Sequence, residues 1–315
     1  MKRRDFTAWM VAAALWPAAA RAQKKARIGV LVVADPEPFL REFRAGLRSL
    51  GYVEGRNLEL EVRSGKGKAQ LLPQLAADLV RRKVDVLVAW QTPAAQAAKQ
   101  ATRDIPIVIS AGDPVGTGLV ASLARPGGNI TGMGGTTAAA AAKTLELVRE
   151  LLPSAKRMAV LANAHDPFTR VFLEQLDAAG RKTHFEIRAI RIKSAEEFDD
   201  AFAQIAAWPA DAVVVQPSLQ RQAPVQLALK YRLPSVSATR AFPEAGGLMS
   251  FAGSIRELYG GAARYADRIL KGARPADLPV GEVDTFELVI NLRTAKTLGI
   301  TVPRALLLRA DHVIE

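Results

Sequence analysis

Apolar β-branched runs alternate with amphipathic stretches along most of the chain. Arg27-Ile-Gly-Val-Leu-Val-Val33 reads as a strand, Ala34-Asp-Pro-Glu-Pro38 as a turn, and residues 39–50 as an amphipathic helix closed by Gly51. At an offset of 130 residues the order returns. Arg157-Met-Ala-Val-Leu-Ala162 is a strand, Asn163-Ala-His-Asp-Pro167 a turn, and residues 168–179 a helix closed by Gly180. Two more pairs recur at offsets of 126 and 128 residues. Asp85-Val-Leu-Val-Ala89 with Gln91-Thr92-Pro93 matches Asp211-Ala-Val-Val-Val215 with Gln216-Pro217-Ser218, and Ile105-Pro-Ile-Val-Ile-Ser110 matches Leu233-Pro-Ser-Val-Ser237.

Alternating strands and helices imply parallel sheets with right-handed crossovers, so each half is expected to be a doubly wound α/β lobe. The stretch from Ile105 through Met133 is where the first half gives way to the second. Past Ala241 the order changes: a short strand over 246–251, a helix over 255–270, a strand over 287–291 and a short helix over 294–298. This tail completes neither lobe alone, which implies several crossovers and a stiff hinge. The expected division is an export signal over 1–22, an N-terminal lobe of 23–134 with about 252–283, and a C-terminal lobe of 135–251 with about 284–315.

Composition sharpens the picture at the amino terminus. Lys2-Arg3-Arg4 is a basic segment, residues 6–20 are apolar, and Ala20-Arg21-Ala22 has the form of a signal-peptidase site, so cleavage near Ala22 and a periplasmic mature chain are expected. The apolar run is too short to cross a bilayer, and Arg3-Arg4-Asp5-Phe6 leaves both the Sec and the twin-arginine routes open. The chain has no cysteine, hence no lipidation site and no disulfide. Loss of the leader, with four basic residues and one acidic, takes the formal charge from +12 to +9. That surplus is dispersed, with no basic run longer than three residues, which argues against a nucleic-acid partner.

In open α/β sheets ligands sit at the carboxyl ends of the strands. The polar residues there are Asp35, Gln91, Thr92 and Asp113 in the first half, and Asn163, Asp166, Gln216 and Ser218 in the second. Facing lobes would gather them in one cleft. Thr92 before Pro93 reads as an N-cap whose helix offers free amides to a ligand carboxylate. Thr136, before an alanine run, is a second such start, and Asp113 is a candidate partner for a ligand ammonium. Trp90 and Phe168 are positioned to stack on a ring or to fill core. His165 lacks the partners of a metal site, since His184 and His312 fall in unrelated contexts. There is no G-x-S-x-G, no Walker loop and no dinucleotide fingerprint, so neither an enzyme nor a cofactor is expected.

Several long motifs extend this reading. Gly46-Leu-Arg-Ser-Leu-Gly-Tyr-Val-Glu-Gly55, the stretch from Gly112-Asp-Pro-Val-Gly-Thr-Gly118 to Gly132, Ile269-Leu-Lys-Gly-Ala-Arg-Pro275 and Phe286-Glu-Leu-Val-Ile-Asn291 through Gly299 resemble the periplasmic substrate-binding proteins of ABC transporters. The subfamily concerned is the one whose characterised members bind aromatic amino acids such as tryptophan or phenylalanine. The resemblance implies the two-lobed type I binding-protein fold, a monomer, a small organic ligand such as an amino acid or other carboxylate, and delivery to an ABC permease. A sensor system served by the same fold is the alternative destination. Asn163-Ala-His-Asp-Pro167 and Ser250-Phe-Ala-Gly-Ser254 depart from the family's pattern on the cleft side, leaving the ligand open.

Overall fold

The computed structural model describes residues 25–37, 39–134 and 137–315. The export signal expected over 1–22 and the candidate Thr136 lie outside the described residues.

The first lobe is built on five strands, β1 (Ala26–Val32), β2 (Leu58–Ser64), β3 (Val86–Trp90), β4 (Ile107–Ala111) and β5 (Ile130–Gly134). They pair in parallel in the order β2-β1-β3-β4-β5, with Ile28 opposite Val86 and Leu87 opposite Ile107. Between them run α1 (Phe39–Ser49), α2 (Leu72–Arg81) and α3 (Thr92–Ala101). Alternation within β1 explains the layering. Ile28, Val30 and Val32 pack with Phe39, Phe43 and Leu47 on one face, while Leu31 and Val33 pack with Leu72, Ala76 and Leu79 on the other. A sheet covered on both faces needs such near-continuous apolar strands.

The second lobe contains α4 (Thr137–Leu151), β6 (Arg157–Asn163), α5 (Thr169–Thr183), β7 (Glu186–Ile192), α6 (Phe198–Ala207), β8 (Ala212–Val215), α7 (Gln222–Lys230), β9 (Ser235–Ser237), α8 (Ala241–Glu244) and β10 (Met249–Gly253). After β10 the chain leaves this sheet. Helix α9 (Ile255–Leu270) packs on α1 and across β3–β5, and Gly281 exchanges backbone hydrogen bonds with Gly132 and Gly134, both 2.9 Å. Then β11 (Phe286–Asn291), α10 (Leu292–Leu298), α11 (Arg304–Leu307) and β12 (His312–Ile314) return to the second lobe. Its sheet runs β12-β11-β10-β9-β8-β6-β7 and is parallel apart from one pair, since β11 lies antiparallel to β10 with Val289 opposite Ser250. The chain thus passes from one sheet's lobe to the other between β5 and α4, and again near residues 254 and 284.

Two expectations are corrected. Gly180 does not close a helix: α5 continues to Thr183 and ends where His184 takes a left-handed conformation, φ 56°. Glycine stands at position 180 because a Cβ there would lie 2.5 Å from Ile187 Cγ1, too close for β7 to pack. The pattern also passes over β2 and β7. Both are sheet edges, and Leu58-Glu-Leu-Glu-Val-Arg-Ser64 and Glu186-Ile-Arg-Ala-Ile-Arg-Ile192 alternate apolar with charged residues, as a strand exposed on one side does.

Candidate functional site

Parallel strands all end on one side of a sheet, and here the carboxyl edges of the two sheets face each other. Between them lies a cavity of about 160 Å³, similar to the roughly 150 Å³ that accommodates a benzene ring. The first lobe contributes Gln91 and Thr92 after β3, Ser110 and Gly112 at the end of β4, Phe39 from α1 and Tyr259 from α9. The second contributes Asp166 and Phe168 after β6, Gln216 and Ser218 after β8, Thr239 after β9 and Phe286 on β11.

The second-lobe polar residues form one network. Gln216 donates through Nε2 to Asp166 Oδ2 at 2.8 Å, while its Oε1 accepts from Asn163 N and Thr169 Oγ1, both at 2.9 Å. Asp166 Oδ1 accepts from the Phe168 amide at 2.9 Å. Asn163 reaches Ser218 Oγ at 3.5 Å and stands behind the cavity wall, bracing the loop through His165 N. Asp166 is buried, and its neighbours are neutral. Burial therefore pushes its carboxyl above the usual range, against the opposing hydrogen bonds from Ser218, Phe168 N and Gln216. Among the described residues, no Lys, Arg or His lines the cavity.

On the first-lobe side the expected cap is corrected. Thr92 is the first helical residue of α3 rather than its N-cap; Gln91 takes the cap position without a capping side-chain bond, and Thr92 Oγ1 donates to Gly112 O at 3.4 Å. Thr92 lines the cavity at the start of α3, where the leading helical amides lack an intrahelical partner. Gln91 adopts φ 70°, ψ 153°, a region almost confined to glycine and retained where surrounding structure over-determines it. Here its side chain crosses the cleft and donates to Pro217 O at 2.8 Å. Gln91→Gly should accordingly be more stable to chemical denaturation than Gln91→Ala, by about 1 kcal/mol, reversing the usual order of those two residues.

An aromatic wall completes the first-lobe face. The Phe39 and Tyr259 ring centroids lie 4.9 Å apart, and Trp90 meets Tyr259 edge-on at 5.0 Å. The Tyr259 hydroxyl is hydrogen-bonded to Ser110, and burial raises its pKa so that it stays neutral. Trp90 itself is core, buried behind Phe39, Phe43 and Tyr259, and does not reach the cavity. Across the gap Phe168 presses on Gly112: a Cβ at 112 would lie 3.0 Å from the ring.

Gln91, Thr92, Asp166, Gln216 and Ser218 are thus brought together, with Asn163 directly behind them. Two candidates are not. Asp113 is turned into its own loop at φ 34°, accepting from Gly116 N at 2.8 Å and, through its carbonyl, from Thr117 Oγ1 at 2.7 Å. Asp35 lies outside the cavity at the mouth of the cleft, paired with Arg221. The sequence pattern missed Phe39, Ser110, Thr239, Tyr259 and Phe286. Among the described residues no cluster of His, Asp or Glu could hold a metal, and no helix is long and apolar enough to cross a membrane.

Two α/β lobes of mainly parallel strands, closing their carboxyl edges on a small polar and aromatic cavity, define the class: a type I periplasmic binding-protein fold. The chain belongs to the ABC transporter substrate binding protein family, whose model matches residues 38–314. It is 29% identical over 289 residues to a tyrosine-binding protein of Clostridioides difficile (strain R20291), covering 88% of this chain and 81% of that protein. Among solved structures, a conserved domain protein from Vibrio cholerae superposes with a TM-score of 0.84 at 30% identity, over 92% of this chain and 100% of that one. An ABC domain from Streptococcus pneumoniae in complex with L-Trp gives 0.83 at 28% identity, with the same coverage. A ligand-free, open substrate-binding protein from Clostridium difficile gives 0.62 at 25% identity, over 92% of this chain and 99% of that one. Hydrogen bonds from Gln91, Gln220 and Arg221 cross the cleft, so the lobes stand closed on the cavity.

Proposed function

We propose that this chain is an exported solute receptor, without enzymatic activity, that captures an amino acid between its lobes as a monomer and delivers it to an ABC permease outside the cytoplasm. The three passages of the chain between the two sheets would serve as its hinge. One observation carries the ligand class. Asp166 is a buried carboxylate at the cavity wall that, among the described residues, is held only by neutral donors in a cavity lined by nothing basic. A buried charge needs a partner, and a ligand ammonium supplies it. The ligand's carboxylate would find the first-turn amides of α3 and the hydroxyls of Thr92 and Ser110, while Phe39, Phe168, Tyr259 and Phe286 favour an apolar or aromatic side chain. The tyrosine and L-Trp of the relatives' names support this choice.

Titration calorimetry on the purified mature chain tests the reading with L-tyrosine, L-tryptophan, a panel of other amino acids, and N-acetyl-L-tryptophan, which lacks the ammonium. At least one free amino acid should bind and the acetylated one should not. Equal binding of N-acetyl-L-tryptophan, or no binding across the panel, refutes it. Acidification gives a further check with a definite sign. Because the Asp166 pKa is raised, its protonated form is favoured in the ligand-free fold: that contribution to stability is complete below the ordinary Asp value and is lost as pH rises through the raised one. Affinity for an ammonium ligand should move oppositely, falling as pH drops through the raised pKa and so beginning to fall above the usual carboxylate range. Melting curves and calorimetry across that window read both effects.

A further inference from the structure

The loop between β8 and α7, residues 216–221, faces in two directions. Gln216 and Ser218 line the cavity, while Pro217 O accepts from Gln91 of the opposite lobe. Just beyond, Gln220 Nε2 donates to Lys66 O at 3.0 Å, lying over Gly67, where a Cβ would come within 2.2 Å of it. Arg221 then reaches into the loop between β1 and α1 and donates to Asp35 Oδ2 and to Glu37 O, both at 3.0 Å. Its guanidinium also lies over the ring of Phe39, 5.6 Å from the centroid. The Arg221 side chain is 12% exposed and that of Asp35 63%. Every one of these bonds crosses between the lobes, so every one is lost when the lobes part.

We propose that this loop is a clasp that holds the lobes closed in its own right, with Arg221 as the positioning residue that sets the closing equilibrium. A ligand contacting Gln216 and Ser218 steadies the loop that also carries Gln220 and Arg221, coupling cavity to mouth. Arg221 does not itself line the cavity, but its guanidinium overlies Phe39, which does, and its charge is felt at the Tyr259 hydroxyl. Beside the clasp runs an open groove of about 660 Å³ lined by Asp35, Glu37, Lys66, Gln220, Arg221 and Glu244. Solvent reaches the Asp35 end of the pair, so closure is sensitive to salt.

The absence of cysteine makes the test direct. Gln70→Cys and Gln226→Cys place one spin label on each lobe at exposed positions near the mouth, and double electron–electron resonance reads their separation in ligand-free protein. At low salt the clasped protein populates a short-distance component. Arg221→Gln should reduce that population about tenfold, the effect of losing a charge-assisted hydrogen bond. Asp35→Asn keeps the acceptor that Asp35 Oδ1 offers Glu37 N and, at an exposed position, leaves folding intact; it should reduce the population about threefold. The double variant should match Arg221→Gln alone, Arg221→Lys should recover part of the loss, and high salt should imitate it. Strictly additive substitutions, a wild-type distribution with no short component, or indifference to both salt and Arg221→Gln overturns the clasp. Since no ligand is present, none of these outcomes depends on what the cavity binds.

Discussion

Asp166→Asn is expected to weaken binding of whichever amino acid the calorimetric panel identifies by about a hundredfold or more, while changing the stability of the ligand-free fold far less. Relief of the buried charge and the new donor–donor contact with Gln216 oppose each other there. In the ligand-free chain the carboxylate is desolvated and has only the Phe168 amide, Gln216 and Ser218 for company, so removing its charge relieves a penalty. In the proposed binding mode the same charge would face an ammonium, and deleting one partner of a buried pair commonly costs about 3–5 kcal/mol. Asparagine keeps the shape and the bond from Phe168 N, but it turns an amide towards Gln216 Nε2. Gln216 cannot flip to meet it, because its Oε1 already accepts from Asn163 N and Thr169 Oγ1. Calorimetry and thermal melts on the same preparation read both quantities; a variant that bound as wild type would move the ammonium away from Asp166.

Gly112→Val should act on closure rather than on chemistry. Already a methyl at position 112 would press on Phe168 at 3.0 Å, and the branches of valine must displace the ring or part the lobes. Overpacking of this kind costs roughly 1–3 kcal/mol, which corresponds to an affinity loss of about five- to a hundredfold. Solution scattering at saturating ligand should then report a larger radius of gyration than for the wild-type complex. Restoring room from the other side, with Phe168→Leu in the same chain, should recover much of both. If Gly112→Val closes and binds as wild type, Phe168 is not a stop for the lobes.

The repeat was legible because strands buried on both faces, such as Ile28–Val33 and Val86–Trp90 in their covered sheet, must be apolar along their whole length. The cluster of Asp166, Gln216 and Ser218 was legible for a related reason, since polar residues directly after buried strands have few places to go but the sheet's edge. What sequence could not rank was Asp166 against Asp113. Each is an aspartate before proline after a buried strand, and only the fold sends one into a cavity and the other back into its own turn. Nor does any local signal join Phe39, Tyr259 and Phe286, which lie on α1, α9 and β11 and meet through tertiary packing alone. The backbone of Gln91 was equally silent: positive φ is usually announced by glycine, and here a contact across the cleft holds it instead.

The return of α9 to the first lobe bears on how the chain is made. All five strands of that lobe are complete by Gly134, yet the helix that covers Phe39, Phe43 and Trp90 comes more than a hundred residues later, and Tyr52 waits for Asp267, 215 positions downstream, to receive its hydroxyl proton in a hydrogen bond. A nascent chain emerging from its amino terminus therefore cannot finish its first lobe before nearly all of the second has been synthesised. Contacts of such long range are slow to form, and the aromatic face left bare in the meantime is a site for aggregation or for a chaperone. The same threading that ties the two lobes together thus makes completion of the first lobe a late event.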